Sequence, residues 1–220
     1  MLNYILQINT ALSEASVSIS ANGALIGEKI NPSQQEHAGF LQPAIASLCE
    51  ELNVQLKDLQ AVAVVNGPGS YTGLRVGLSA AKGICYALEL PLICINTLEW
   101  MAHGNRTQHT DYICPMIDAR RMEVFTALYD NEMNVLIEPK PMILEASGFM
   151  DRLNEKTVAF IGNGAIKWKG ICSHPNALFP EAHHDVLSLS QLSYEYFILK
   201  KFSDLAYSEP FYTKEFHSTK

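Results

Sequence analysis

The sequence predicts a duplicated α/β fold of two lobes, residues 1–104 and 105–220, each with a mixed sheet flanked by helices. Three observations support this prediction. Each half opens with three short strand-like segments that contain a hairpin signal, strand and helix patterns alternate after them, and the polar stretch 104–110 separates the halves. A repeated order of elements is the sequence signature of an internal duplication. The last helix or the C-terminal tail can pack back on the first lobe.

The first lobe begins with three strands, and Asn22-Gly23 between the second and third is a strong hairpin signal. A helix follows from Ser33 to about Leu52, with Ser33 as its N-cap and Glu36 completing a capping box. The next strand is continuously apolar, as a strand buried on both faces should be. The four predicted strands cover residues 4–9, 14–20, 24–30 and 61–66.

A glycine-rich turn, NGPGSYTGLR at 66–75, leads from the apolar strand into a helix over 73–89. It is not a P-loop, because no Lys follows its last Gly, and it is not a dinucleotide fingerprint, because Thr72 stands where the third Gly belongs. Two interpretations stay open: a tight turn in which Thr72 caps the helix, and an anion site at the helix N-terminus. The lobe closes with a strand at 91–95 and a short helix capped by Thr97.

The second lobe repeats this beginning with three strands, and Asp130-Asn131 marks the hairpin between the second and third. Helical segments follow near 145–153 and 163–169, with an apolar strand at 157–161 between them. A long helix near 189–202 closes the pattern. The three opening strands are predicted at 112–118, 122–130 and 134–138.

The helix at 73–89 has an apolar or small surface that is about twice as wide as one core contact requires. Gly73, Gly77 and Ala80 lie at the middle of this surface, and close approach of another element is the usual compensation for glycine inside a helix. That element is either part of the same lobe or a helix of a partner protein. Replacing Gly77 or Ala80 by Arg separates the two, because packing within the lobe predicts unfolding and a partner interface predicts a folded chain that no longer assembles.

The composition is that of a globular protein with an acidic balance, since 16 Lys and Arg against 23 Asp and Glu give a formal net charge of −7. A chain without a basic stripe gains little from counterion release, so we expect it to bind nucleic acid only weakly by itself. The five cysteines are scattered without a C-x-x-C pair, which favours reduced thiols over disulfides or a zinc site. No stretch is long enough for a membrane span and no signal peptide is evident, so we expect a cytoplasmic protein.

Several segments match a known family: the run from His37 to Pro43, GPGSYTGLRVGLSAAKGICYAL, INTLEWMA, MIDARRMEVF and the C-terminal EPFYTKEF. Over most of the chain they resemble the TsaB (YeaZ) family of tRNA threonylcarbamoyladenosine biosynthesis proteins. The resemblance implies an actin-like (ASKHA, ribonuclease H-like) fold in two lobes, which agrees with the duplication.

The resemblance also implies partners. Members of this family assist a catalytic subunit, TsaD, and an ATPase, TsaE, joins them to place a threonylcarbamoyl group on an adenosine beside the tRNA anticodon. We therefore expect a non-catalytic scaffold that reaches tRNA only through the complex and that can form a homodimer when isolated. It should need no cofactor of its own, and ATP or ADP is expected at the level of the complex.

The expected functional residues form two sets, with no catalytic residue and no metal ligand among them. The partner interface is expected on two helices of the first lobe, at His37, Phe40, Leu41, Ala44, Gly73, Val76, Gly77, Ala80 and Ile84. Contacts with an anion or a nucleotide are expected at Gly69, Ser70, Thr72, Arg75, Asp118 and Arg120.

Two enzyme functions are the alternatives. A glycoprotease-like metallopeptidase would need a His-x-x-x-His metal pair, and Leu41 stands where the second His should follow His37. An actin-like nucleotide-dependent kinase would need acidic residues at both strand-end turns, and the first strand ends in Asn9, while Asp118 ends its counterpart. A metal assay and a nucleotide titration separate these alternatives from the scaffold.

Overall fold

The computed structural model describes residues 2–33, 37–106, 109–181 and 186–212. They form two compact units. The first comprises the described residues within 1–97 and 185–211, and the second comprises those within 98–184 together with Tyr212. The units divide after Thr97, whereas the sequence placed the boundary after residue 104. The last helix belongs to the first unit, an arrangement that the sequence had left open.

The first unit is built on a five-stranded mixed sheet in the order β3-β2-β1-β4-β5. Its strands are β1 (Tyr4–Asn9), β2 (Ala15–Ala21), β3 (Ala24–Asn31), β4 (Leu59–Gly67) and β5 (Leu92–Asn96). β1 pairs antiparallel with β2 and parallel with β4. The helices are α1 (His37–Leu52), α2 (Tyr71–Leu88) and, from the C-terminal part of the chain, α6 (Val186–Ile198).

Helices α1 and α2 pack against each other and against the sheet of the first unit, where they bury one apolar core. Leu6 and Ile8 of β1 point into this core. Gln7 lies between them and therefore points to the opposite face of the sheet, where its amide bonds the hydroxyls of Ser18 and Ser20 at 2.9 and 2.7 Å. Helix α6 packs against β1, β2, β3 and β5. Helices thus cover the first sheet. The loops of the candidate site follow the C-terminal ends of β1 and β4.

The second unit repeats the same topology with a five-stranded sheet in the order β10-β9-β6-β7-β8. Its strands are β6 (Tyr112–Asp118), β7 (Glu123–Asp130), β8 (Val135–Ile143), β9 (Val158–Ile161) and β10 (Ala177–Leu178). Its helices are α3 (Thr97–Gly104), α4 (Met150–Leu153) and α5 (Ala165–Lys169). The core contains an aromatic cluster in which the Phe149 ring lies 5.2 Å from that of Phe160 and 5.3 Å from that of Trp168, centroid to centroid. The equivalent strand orders confirm the predicted duplication.

Most strand predictions are confirmed, and the helix ends show where the sequence misled. Helix α2 begins at Tyr71 with Ser70 as its N-cap, not with Thr72. The helix predicted at 145–153 is limited to α4, and the last helix ends at Ile198 instead of continuing to residue 202. The chain leaves that helix at Lys200, which has a φ of 53°. Glu36 of the predicted capping box lies outside the described residues.

Within the described ranges, every helix is too short or too polar to cross a membrane.

Candidate functional site

The glycine-rich turn after β4 is fastened to the turn between β1 and β2. The Ser70 amide donates to the Ala11 carbonyl at 2.7 Å, and the Ser70 hydroxyl accepts from the Gly73 amide at 3.3 Å. The Leu74 amide donates to the Ser70 carbonyl at 2.8 Å. Of the amides at the start of α2, those of Ser70 and Gly73 are therefore bonded within the protein. The hydrogen bonding is that of a tight, capped turn.

Three glycines allow this close contact. A Cβ atom at Gly69 would overlap the Ala11 carbonyl, one at Gly73 would overlap the Thr10 carbonyl, and one at Gly77 would overlap the Thr10 hydroxyl. The same hydroxyl donates to the Gly73 carbonyl at 2.7 Å. The element that approaches the glycines of α2 is therefore the β1–β2 turn of the same unit. For Gly73 and Gly77 the structure shows the first of the two arrangements that the sequence left open, packing within the lobe.

The predicted interface residues divide by burial. Leu41 and Ala44 are buried at 1% and 6% exposure and belong to the core, as do the two glycines. They cannot present side chains to a partner in this conformation. The residues that pack against the core while reaching the surface are Phe40, Val76, Ala80 and Ile84. The side chain of His37 lies outside what the structure describes.

An open surface remains on the outer sides of the two helices. Gly39 in α1 and Gly83 in α2 have no atom within 4 Å of the position that a Cβ would take. We define the α1–α2 face by the exposed or half-buried residues Gly39, Pro43, Ala46, Val76, Ala80, Gly83 and Ala87. The face is small in side-chain volume and none of these residues is charged. Such a surface permits close approach of another helix without desolvating an ion.

The remaining anion candidates of the first unit are exposed. Thr72 is on the surface and does not cap the helix. Arg75 lies over the Tyr71 ring, with its guanidinium carbon 4.1 Å from the ring centroid, a cation–π contact.

Asp118 and Arg120 lie in the second unit, at the turn between β6 and β7. The Asp118 amide donates to Asn163 Oδ1 at 2.8 Å, and Asp118 Oδ1 accepts from the Arg120 amide at 2.6 Å and from Lys167 Nζ at 2.5 Å. The Lys167 hydrogen bond is the main cause that lowers the pKa of the Asp118 carboxyl. Asp118 thus caps the turn that contains Arg120 and Arg121.

Sequence reasoning missed Lys167, which joins this turn from helix α5. Its ammonium group donates to Asp118, to the Arg121 carbonyl at 2.6 Å and to the Glu123 carbonyl at 3.4 Å. The partner is 49 residues away in sequence, and no local pattern marks a lysine for such a contact.

The C-terminal segment lies on the first unit, one of the arrangements that the sequence allowed, but the sequence did not identify its contacts. Lys82 of α2 donates to the carbonyls of Ala206 and Ser208, each at 3.1 Å, and the Phe211 amide donates to the Asn66 carbonyl at 2.7 Å. Ser203 bonds the backbone of β5. The C-terminal segment is thus hydrogen-bonded both to α2 and to the start of the glycine-rich turn.

Nucleophilic or metal chemistry would depend on the Cys, His, Asp and Glu side chains. Burial raises the pKa of the Cys85 thiol to about 11 and that of Cys114 to about 12, so both stay protonated near neutral pH. In the parts of the chain that the structure describes, His, Cys, Asp and Glu nowhere form a group of three placed to hold a metal ion. The expectation that this chain binds no metal stays a prediction.

The two five-stranded sheets of matching order place the chain in the class of two-lobed, actin-like α/β proteins. The fold is that of YeaZ from Pseudomonas aeruginosa, with a TM-score of 0.76 at 22% identity over 96% of this chain and 99% of that one. At that identity the likeness shows the fold, and the predicted fold class is confirmed.

Sequence comparison gives the family. The family model TsaD, tRNA N6-adenosine threonylcarbamoyltransferase, matches residues 26–208. The tRNA threonylcarbamoyladenosine biosynthesis protein TsaB of Bacillus subtilis is 32% identical over 164 residues, which is 72% of this chain and 70% of the relative. TsaB of Escherichia coli is 34% identical over 131 residues, 59% of this chain and 56% of the relative. The chain belongs to the TsaB family, within the broader group that the TsaD model describes.

Proposed function

We propose that this protein is the non-catalytic TsaB subunit that joins a TsaD-type catalytic subunit to make N6-threonylcarbamoyladenosine in tRNA. Family membership supports the pathway. The α1–α2 face carries the proposal for the subunit, because it is an open, uncharged, small-residue surface on two helices whose inner sides form the core. Helices that expose such a surface suit close packing against a helix of another chain.

The interface that we propose lies on more exposed residues than the interface expected from sequence. Leu41, Ala44, Gly73 and Gly77 support the face from inside the unit, and the contact itself falls on the outer positions around Gly39 and Gly83. In isolation the same face can pair with a second copy of the chain, so that homodimer and heterodimer would compete for it.

The chain itself is proposed to lack catalysis. Leu41 occupies the position of the second metal-binding His of a metallopeptidase helix and is buried in the core. The strand-end Asn9 is buried, and its side-chain oxygen Oδ1 accepts from the Ala11 amide at 3.0 Å instead of being presented to a metal–phosphate. A metallopeptidase would need a His at position 41, and a kinase would need an acidic residue at position 9. Neither position holds the required side chain.

The further components follow from this role. A TsaE-like ATPase joins the complex, ATP or ADP binds at the level of the complex, and this chain requires no cofactor of its own. The net charge of −7 supports access to tRNA through the complex and not by the chain alone. The proposed location is the cytoplasm, where tRNA modification would take place.

Reconstitution tests the proposal. The organism's TsaD-type and TsaE-type proteins, mixed with tRNA, ATP, threonine and the enzyme that activates threonine, should form N6-threonylcarbamoyladenosine only when this chain is added. The isolated chain should form none. Full activity in its absence, or failure of the chain to co-elute with the TsaD-type protein, would refute the proposed function.

A further inference from the structure

The turn between β6 and β7 has an unusual backbone that sequence reasoning did not anticipate. Arg120 has a φ of 67° and Arg121 a φ of 48°, so both lie in the left-handed region that favours glycine and asparagine. Within the described ranges, they are the only two consecutive non-glycine residues with positive φ. A turn of this kind costs folding free energy that Gly or Asn would avoid, and residues held in this way concentrate at functional sites.

Both arginine side chains are exposed. Among the residues that the structure describes, neither guanidinium group has a hydrogen-bond or ion-pair partner; the hydrogen bonds of the two residues are made by their backbones, with Asp118, Glu123 and Lys167. Hydrogen bonds and ion pairs of the two guanidinium groups among the described residues therefore do not explain why arginine stands at these positions.

The neighbouring charges favour an anion. The Asp118 carboxylate is ion-paired with Lys167 at 2.5 Å, and its electrostatic interaction with Arg120 is the weaker of the two. The turn is a local concentration of positive charge on a chain whose net charge is −7. Guanidinium groups bind phosphate oxygens through two parallel N–H donors, which makes a phosphate ester the matching chemical class.

We propose that Arg120 and Arg121 contact the phosphodiester backbone of the RNA substrate. This inference rests on the proposed function, because the RNA is the tRNA on which the complex acts. A pair of contacts of this type adds affinity within the complex without making the isolated acidic chain a tight RNA binder. A nucleotide phosphate is the other source of the same chemistry, and the test separates the two.

The test uses the complete complex with the double variant Arg120→Gly/Arg121→Gly. Glycine suits both φ values, so the melting temperature should stay equal or rise. The tRNA affinity should fall about 3- to 10-fold near physiological salt, as expected for two exposed charge contacts. The slope of log affinity against log salt should shrink in magnitude by about 1.4–1.8, the loss of two phosphate contacts. ADP affinity should not change.

The matched control is Arg152→Ala, which removes an exposed arginine of α4 in the same unit and should leave tRNA affinity unchanged. Unchanged tRNA affinity in the double variant, an equal loss in the control, a marked drop in melting temperature, or a loss of ADP affinity with tRNA affinity kept would each overturn the inference. Co-elution of the wild-type complex, measured first, reports on the proposed function separately.

Discussion

The two units end their first strands in the same way and use the resulting turns differently. In the first unit Asn9 Oδ1 accepts from the Ala11 amide at 3.0 Å, and in the second Asp118 Oδ1 accepts from the Arg120 amide at 2.6 Å. Each side chain thus bonds the backbone two residues later, as in an Asx turn. The Asn9 residue is 4% exposed, whereas the Asp118 side chain is 38% exposed and ion-paired.

The two turns share the same side-chain hydrogen bond, and their different exposure comes from the residues around them. In the first unit the glycines in α2 and in the turn before it allow Thr10 and Ala11 to approach closely. Packing contacts within the unit therefore cover this turn. In the second unit the next residues are Arg120 and Arg121, which stay at the surface. One copy of the duplicated turn is packed against α2, and the other exposes two arginine side chains.

The largest expected effect tests the buried turn. Gly77→Ala should destabilise the protein by about 1–3 kcal/mol, because the new methyl group would overlap the Thr10 hydroxyl in a packed core. Gly83→Ala is the matched control in the same helix. Its Cβ meets nothing within 4 Å, so it should stabilise by about 0.5–1 kcal/mol. Chemical denaturation of both variants measures the difference, and equal effects would contradict the packing of α2 on the β1–β2 turn.

A smaller effect tests which hydroxyl starts α2. Ser70→Ala should cost about 1 kcal/mol of unfolding free energy, since it removes the acceptor of the Gly73 amide. Thr72→Ala should have almost no effect, because Thr72 is exposed and already inside the helix. Each substitution removes one hydroxyl group, and Thr72→Ala also removes a methyl group, so the two variants are a matched pair. A larger loss for Thr72→Ala would return the cap to the residue that the sequence suggested.

The smallest effect concerns the exposed turn. The folded-state pKa of Asp118 is lowered, chiefly by Lys167, so its ion pair stabilises the protein above the unfolded-state pKa, ordinarily near 3.8, and this stabilisation is lost as the pH falls through the folded pKa. Asp118→Asn should therefore cost less than about 1 kcal/mol near neutral pH, since the pair is partly exposed. The difference from wild type should shrink as the pH falls below 3.8 and disappear below the lowered folded-state pKa of Asp118 in denaturation curves taken across this range. A difference that is independent of pH would show that the charge is not involved.

Local patterns predicted most of the fold. The spans of β1 and β6 agree with the structure because alternating apolar residues and hairpin signals are short-range information. The helix expected near 145–153 was too long, since only its last turn forms. Thr72 was predicted as the N-cap of α2, whereas Ser70 is the N-cap in the structure; both residue types cap well, and only the backbone geometry decides between them.

The candidate site was harder to predict because its contacts are long-range. Thr10 bonds Gly73 across 63 residues, and Lys167 bonds Asp118 across 49. A stripe of small residues looks the same whether its partner is in the chain or outside it, so the sequence could find Gly73 and Gly77 but not their neighbour. The left-handed backbone of Arg120 and Arg121 likewise contradicts local preference, which is why no sequence rule marked it.

The most direct test of the account is the affinity of Gly83→Arg for the TsaD-type subunit. Gly83 is open and exposed, so the variant should melt like the wild type. If the α1–α2 face is the interface, an unpaired charge there should weaken binding by about 100-fold or more. Ala146→Arg, at an exposed position of the second unit, should bind normally. A folded Gly83→Arg variant with wild-type affinity would contradict the proposed interface.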